Sequence, residues 1–221
     1  MTLNSLPATP SRVKSKTTAM ISILLAVFTL ILAACGGSSQ QTGSSSTKHV
    51  LTVATQSYDF AQAGFNPYNG HPNAGAAGLI YETLDFVNVN DGSFTPMLAT
   101  SYTWSSNDTQ LTFNIRQGVQ WNDGKPFSAQ DVAFTFNELK KYPAADTNGV
   151  WSYLSSVTAS DANTVVMTFQ KAYPPELVTI AGHVSIIPQH VFDSAGDPTQ
   201  YLTDHPVGTG PFKLTSYQPN V

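Results

Sequence analysis

The sequence predicts an α/β fold of the mixed (α+β) kind for the body of the chain. Two segments alternate apolar and polar residues on either side of short polar turns, which indicates two β-hairpins, each with one buried face. Between them, residues 129–141 carry apolar side chains at helical spacing behind a capping sequence. Strands and helices do not alternate regularly and no internal repeat is visible, so a doubly wound βαβ fold is not indicated.

The composition fits a soluble globular domain and argues against nucleic acid as a partner. The chain has 221 residues, of which 41% are hydrophobic, enough for a sizeable core, and 11% are charged. Three of its 10 basic residues precede Cys35, which leaves 7 basic against 14 acidic residues from that cysteine onwards. No basic stripe is present to neutralise phosphates. Cys35 is the only cysteine, so no disulfide is expected within the chain.

Residues 1–34 are predicted to be a lipoprotein signal peptide. Arg12, Lys14 and Lys16 precede an apolar run over residues 19–34, which is the order of a secretory signal. The run ends in Leu-Ala-Ala-Cys, which resembles the lipobox of bacterial lipoproteins, where the cysteine thiol receives a diacylglycerol. The alternative is a transmembrane helix with an incidental cysteine, but the run is shorter than the roughly 20 residues that a span requires. Lipidation of Cys35 would hold the protein at the cell membrane, facing the periplasm or the cell exterior.

The lipidated cysteine and a tether are expected to occupy residues 35–48. Residues 36–48 are rich in glycine and serine and have no hydrophobic period. Such a composition is typical of a flexible linker, with a low-complexity tail of no function as the alternative.

The folded body is predicted to begin with a strand at residues 49–55, where β-branched and apolar residues alternate with polar ones. Several prolines and glycines over residues 56–75 indicate a loop. A short helix at residues 76–84 and a strand at residues 85–90 follow, and Asp91-Gly92 marks a turn.

The first hairpin turns at the polar residues 105–109. Its alternating large residues are Tyr102, Trp104, Leu111, Phe113 and Ile115. Asn122-Asp123-Gly124 then provides residues that tolerate a positive-φ turn. Ser128 and Asp131 approximate a capping box for the helix at residues 129–141, and Pro143 prevents its continuation.

The second hairpin is predicted from residues 155–159 and 164–170, around a turn at residues 161–163. Pro174-Pro175 begins a short helix that extends to about Ala181. Residues 186–192 combine an apolar run with a one-turn helix, and residues 207–214 form a glycine-rich bend that enters a strand.

The chemistry-bearing motifs of common enzymes do not occur, so the chain is not predicted to be an enzyme. There is no Gly-x-Ser-x-Gly elbow, His-Glu-x-x-His pair or Gly-x-x-x-x-Gly-Lys-Ser/Thr loop. The five histidines are dispersed, which is more typical of surface or capping residues than of metal ligands. The turn and the helix start already explain Asp123 and Asp131 without a catalytic carboxylate pair. No cofactor and no metal site are therefore expected.

Seven blocks of the sequence resemble the family 5 extracellular solute-binding proteins, the peptide- and nickel-binding components of ABC importers. The blocks are PMLA at 96–99, W at 104, FNIR at 113–116, WNDG at 121–124, FSAQDV at 127–132, IPQH at 187–190 and VGTGPF at 207–212. They occur in the family's order and cover the body from about Leu51 onwards. Each block alone is weak, whereas the set is specific.

The resemblance implies a periplasmic-binding-protein-like bilobed clamp of type II, whose lobes close over a ligand by hinge motion. On that template, residues 49–67 and 181–221 belong to the first lobe, and residues 68–180 form an inserted subdomain. Members of the family are more than twice as long, so the second lobe is expected to be missing and the chain to be a truncated form or a fragment.

The resemblance also implies a function: a lipid-anchored substrate-binding protein that takes up oligopeptides together with ABC permease subunits. Nickel or an oligosaccharide is the alternative ligand, and a surface scaffold or sensor that binds no small solute is the alternative function. The expected ligand contacts are Gln56, Ser57 and Tyr58 in the first lobe, and Trp151 and Tyr153 in the inserted subdomain. Ordinary packing or loop capping is the alternative role for each of these residues.

Overall fold

A four-stranded antiparallel sheet with one long helix packed against it is the centre of the structure, a computed structural model that describes residues 64–69 and 76–218. The predicted signal peptide, the tether and the strand at residues 49–55 lie outside the described residues. The structure otherwise confirms the mixed α and β fold that the hydrophobic patterns indicate.

The sheet is built from the two predicted hairpins. The first consists of β3 (Ala99–Trp104) and β4 (Gln110–Ile115), and the second of β5 (Leu154–Asp161) and β6 (Thr164–Phe169). The strand order is β3-β4-β6-β5, so the two hairpins meet through β4 and β6. A separate pair, β1 (Asp85–Val87) and β2 (Phe94–Pro96), is joined by the predicted turn near Asp91.

The main helix, α1 (Ala129–Lys141), has the predicted bounds because its ends are encoded locally. Ser128 Oγ accepts a hydrogen bond from the backbone N–H of Gln130, and the Asp131 carboxylate accepts one from the N–H of Ser128. This is the capping box that the sequence predicts. The buried face of α1 includes Phe136 and Leu139 and packs against β5 and β6.

Two short helices follow the sheet, α2 (Leu177–Gly182) after a 3₁₀ turn at Pro174–Glu176, and α3 (Gln189–Phe192). Both agree with the predicted positions. The residues of α2 belong to the same apolar core as the sheet, whereas Phe192 of α3 lies in a second, smaller core with Ile80 and Tyr81.

Two predicted elements are wrong. The helix expected at residues 76–84 is a single turn, Ala76–Ile80, which breaks at Ala77 (ψ 133°) and at Gly78, whose φ of 81° is left-handed. The strand expected after Pro211 does not form, and residues 212–218 have no regular secondary structure. Gly210 and Phe212 instead donate backbone hydrogen bonds to the carbonyls of Ile80 and Leu79. None of the described helices is long and apolar enough to cross a membrane.

Candidate functional site

The structure describes two of the predicted ligand contacts. Trp151 lies in a 3₁₀ turn (Val150–Ser152), and Tyr153 directly follows this turn and precedes β5. Both side chains are partly exposed. Gln56, Ser57, Tyr58 and the predicted lipidation site Cys35 lie outside the described residues.

Asp146 fixes the backbone that carries Trp151. Its two carboxylate oxygens accept hydrogen bonds from the N–H groups of Val150 and Trp151, each at 3.0 Å. Gly149 has a φ of 69°, a left-handed conformation that brings these N–H groups towards the carboxylate. An Asx-type cap therefore holds the turn, as such side chains do in loops.

The Trp151 indole is held from two sides by α1. Its Nε1 donates a hydrogen bond of 2.7 Å to the carbonyl of Phe136, and the Lys140 ammonium lies 4.4 Å from the centroid of the ring. The second contact has the geometry of a cation–π interaction. The ring is thus preorganised while part of it remains open to solvent.

Tyr153 is stacked on Tyr173. The ring centroids are 4.5 Å apart and the planes differ by 2°. The neighbouring Tyr153 raises the pKa of Tyr173 because two phenols this close disfavour the phenolate. Pro174 and Pro175 follow Tyr173 and begin the 3₁₀ turn that leads into α2.

A second carboxylate completes this group. Glu176 is only 5% exposed, and its Oε1 is buried without a hydrogen-bond partner among the described residues. Burial raises its pKa, a hydrogen bond with Thr179 partly offsets this, and the charge of Asp146 raises the pKa further. We name Asp146, Trp151, Tyr153, Tyr173 and Glu176 the aromatic–acidic cluster.

Two hydrogen bonds next to the cluster join neighbouring segments of the chain. The Tyr68 hydroxyl donates to the carbonyl of Ser185 at 2.6 Å, and its pKa is raised, first by burial and then by the charge of Asp146. Asn148 Nδ2 donates to the carbonyl of His183 at 3.3 Å. The Asp146 carboxylate therefore holds the turn of Trp151 by hydrogen bonds, and its charge raises the pKa values of Glu176 and Tyr68.

Aromatic faces beside carboxylates can hold apolar groups and cations, but the cluster has no nucleophile and base arranged for catalysis. No group of three or more His, Cys, Asp or Glu side chains suited to a metal ion occurs within the described residues. The sequence reasoning did not identify Asp146, Tyr173 or Glu176. The Asp-x-x-Gly spacing of residues 146–149 is a signal that could have identified the first.

A second polar region lies where the family-like blocks meet. Asn122 donates its backbone N–H to the carbonyl of Gly208 at 2.9 Å and its side-chain amide to that of Pro206 at 3.1 Å. Asp123 Oδ2 lies 2.8 Å from His190 Nε2. We name residues 121–131, 187–190 and 206–210 the block joint, because three blocks of distant sequence are hydrogen-bonded there.

Asp131 joins the helix start to α3. Its Oδ2 accepts from the N–H of Ser128 and its Oδ1 from the N–H of Gln189, each at 3.0 Å. Burial raises the pKa of Asp131 and outweighs these hydrogen bonds. The Trp121 indole N–H is buried near this carboxylate without a partner of hydrogen-bond geometry. Asp131 thus has a tertiary role besides the capping role that its local sequence indicates.

For Asp123, burial raises the pKa, but the N–H of Lys125 and the His190 ring lower it by more, and the pKa is lowered overall. His190 is separated from the other histidines in the sequence, and the structure pairs its ring with the Asp123 carboxylate. An open pocket of about 510 Å³ lies beside this pair. Its lining is Lys125, Pro126, Ser128, Gln130, Asp131, Gln189, His190, Asp193 and Ser194.

The fold places the chain in the class of type II periplasmic binding proteins. A periplasmic oligopeptide-binding protein of Thermotoga maritima, solved with bound mannohexaose, matches 71% of this chain with a TM-score of 0.66 and 30% identity. NikZ from Campylobacter jejuni, in complex with Ni(L-His), matches 71% with a TM-score of 0.61 and 25% identity. The dipeptide-binding protein of Escherichia coli is 29% identical over 180 residues, which is 70% of this chain.

The model of the bacterial extracellular solute-binding proteins, family 5 Middle, matches residues 93–221, and the chain belongs to this family. The resemblance carried by the sequence blocks is confirmed. The chain covers 34% of the Escherichia coli relative and 30% and 31% of the two structures, so it spans about a third of their lengths.

Proposed function

We propose that the chain is part of a substrate-binding protein of an ABC importer and that it contributes to the binding of oligopeptides. Family membership and the peptide-binding names of the similar proteins support this proposal. In the proposed clamp, residues 49–67 and 181–221 belong to the first lobe and residues 68–180 to an inserted subdomain. Ligand binding would shift the population towards a closed form that docks on the permease.

The aromatic–acidic cluster is the observation that carries the peptide proposal within this chain. Trp151 and Tyr153 are fixed by contacts to Phe136 and Tyr173 and yet remain partly exposed. Preorganised aromatic groups bind apolar side chains at low entropic cost. The carboxyl groups of Asp146 and Glu176 lie in the same region, and Glu176 Oε1, which has no partner among the described residues, is an acceptor for a ligand ammonium group. An oligopeptide supplies both groups.

Calorimetric titration with a mixture of di- and tripeptides tests the proposal. We expect Trp151→Ala and Tyr153→Ala each to weaken binding by roughly tenfold, the usual effect of removing an aromatic anchor. Tyr102→Ala is the matched control, because Tyr102 is a partly exposed tyrosine on the distant strand β3. Binding of Ni(L-His) or mannohexaose in place of every peptide would defeat the peptide assignment. Binding of none of these ligands would favour the scaffold or sensor alternative.

We also propose that Cys35 is lipidated and anchors the protein at the membrane, facing the periplasm or the exterior. The basic flank, apolar run and Leu-Ala-Ala-Cys sequence support this. Cells fed an alkyne-tagged fatty acid should label the protein, and Cys35→Ser should abolish the label and release the protein from the membrane fraction. Ala34→Gly, which keeps a small residue before the cysteine, is the control. Equal labelling of the Cys35→Ser variant would contradict the anchor.

A further inference from the structure

The two edges of the four-stranded sheet differ in their covering. At one edge, Asn137 and Lys140 of α1 donate hydrogen bonds to the carbonyls of Val157 and Ser155 in β5, at 3.3 and 3.2 Å. The body of α1 also packs along this strand. β5 is therefore shielded from a further strand.

The other edge, β3, is open within the described residues. Its first residue, Ala99, still donates its N–H to the carbonyl of Leu84, but no described segment bonds to the outer side of residues 101–104. Thr100, Ser101, Tyr102 and Thr103 are all exposed. Within the described residues, the backbone groups on the outer side of this strand have no hydrogen-bond partner.

The hydrogen-bond pattern identifies these outer groups. Ser105 donates its N–H to the carbonyl of Gln110, so these two residues form a hydrogen-bonded pair at the hairpin end. Bonded and non-bonded pairs alternate along an antiparallel ladder, so Thr103 bonds to β4. Tyr102 and Trp104 then direct their N–H and C=O groups outwards. Donors and acceptors at this spacing fit another extended backbone.

We propose that β3 pairs with β3 of a second copy of this chain, antiparallel and across a two-fold axis. The strand ATSYTW has no charge and no proline, is rich in β-branched and aromatic residues, and so lacks the devices that keep edges apart. Identical antiparallel strands are self-complementary across such an axis. Since α1 covers β5, the pairing ends at two copies and produces a closed dimer instead of a filament. This goes beyond the proposed peptide binding and does not depend on it.

Sedimentation equilibrium tests the proposal with one variant at each edge. The pairing of two short strands is a small interface, so we expect a reversible dimer in the upper micromolar range. Thr103→Lys places two like charges near the axis and should weaken dimerisation several-fold, because like charges on neighbouring strands repel each other. Thr158→Lys is the matched control, an exposed threonine of β5, and should leave dimerisation unchanged. Both variants retain the apolar N-terminal run, so any association through that segment would be the same in both and could not cause a difference between them.

Hydrogen exchange provides a second readout. In the dimer, the amides of Tyr102 and Trp104 should become at least tenfold slower to exchange as the protein concentration rises, and Thr103→Lys should remove this protection. A wild-type monomer at all concentrations would overturn the proposal. Equal weakening by Thr103→Lys and Thr158→Lys would overturn it as well, and so would a dimer in which these two amides stay unprotected.

Discussion

The block joint and the aromatic–acidic cluster differ in how the chain builds them. The joint consists of residues that carry the family resemblance, such as Asn122, Asp131 and His190, and their hydrogen bonds hold distant segments together. The five residues of the cluster all lie outside the family-like blocks. Relatives with the same family resemblance are named for peptides or were solved with nickel–histidine or mannohexaose. The residues that identify this family hold its segments together, and we propose that a different region, the aromatic–acidic cluster, contacts the ligand.

The largest loss of stability is expected when a methyl group is added at Gly208 in the block joint. A Cβ on Gly208 would lie 1.9 Å from the carbonyl oxygen of Ile80 and 2.6 Å from its carbon. Both atoms belong to the backbone and cannot rotate away, so Gly208→Ala must displace one of two packed segments. We expect it to lower the free energy of unfolding by about 3 kcal/mol, measured by urea denaturation.

Gly64→Ala is the control for that substitution. Its Cβ would meet the flexible end of Leu202 at 3.2 Å, which can shift, so the loss should be under about 1 kcal/mol. Equal stability of the two alanine variants would show that the joint yields easily. The block joint would then not be the rigid region that its backbone contacts indicate.

A smaller effect is expected for the carboxylate that links α1 to α3. Asp131→Ala removes the acceptor of the Ser128 and Gln189 N–H groups, and we expect a loss of about 2 kcal/mol. Ser128→Ala removes the side-chain acceptor at the helix start but leaves the link to α3, and should cost about 1 kcal/mol. Urea denaturation of both variants measures the difference. If Asp131→Ala costs no more than Ser128→Ala, Asp131 is only a cap and the link to α3 contributes nothing.

The parts of the fold that the sequence predicts well are those whose signals are local. α1 has the predicted bounds because Ser128, Asp131 and Pro143 mark its ends within a few residues. The two hairpins follow from alternation and polar turns. The helix at residues 76–84 fails because Gly78 adopts a left-handed conformation that the apolar spacing does not reveal.

The candidate site is predictable only in part, because its contacts join residues far apart in the sequence. Trp151 and Tyr153 could be proposed from their residue type, but the stacking of Tyr153 on Tyr173 spans 20 positions. The approach of Asp146 to Glu176 spans 30 positions. Likewise, nothing near His190 indicates its pairing with Asp123. Neither local propensity nor hydrophobic period carries such information.

The smallest expected effect is on the pH dependence of stability, which should have opposite signs for a carboxyl group of the cluster and one of the block joint. The pKa of Glu176 in the cluster is raised, chiefly by burial, whereas the pKa of Asp123 in the joint is lowered by its hydrogen bonds despite its partial burial. A raised carboxyl pKa means that the folded state favours the neutral acid, so the contribution of Glu176 is greatest below its ordinary pKa of 4.5 and declines as the pH rises through the folded value. A lowered pKa has the opposite sign: the contribution of Asp123 is present above its ordinary pKa of 3.8 and is lost as the pH falls through the folded value.

Replacing each carboxyl group by its isosteric amide should change the melting temperature in the direction that its pKa shift predicts. Glu176→Gln removes the cost of a buried charge, so the variant should melt above the wild type at pH 7 and close to it at pH 4. Asp123→Asn should melt below the wild type at pH 7, and the gap should narrow as the pH falls below 3.8. Calorimetric scans at these pH values measure both differences. If the two variants shift in the same direction at pH 7, the carboxylates of the cluster and the joint do not have opposite environments, and the electrostatic part of the comparison is wrong. Opposite shifts would confirm that burial dominates the environment of Glu176 and that hydrogen bonds dominate the environment of Asp123.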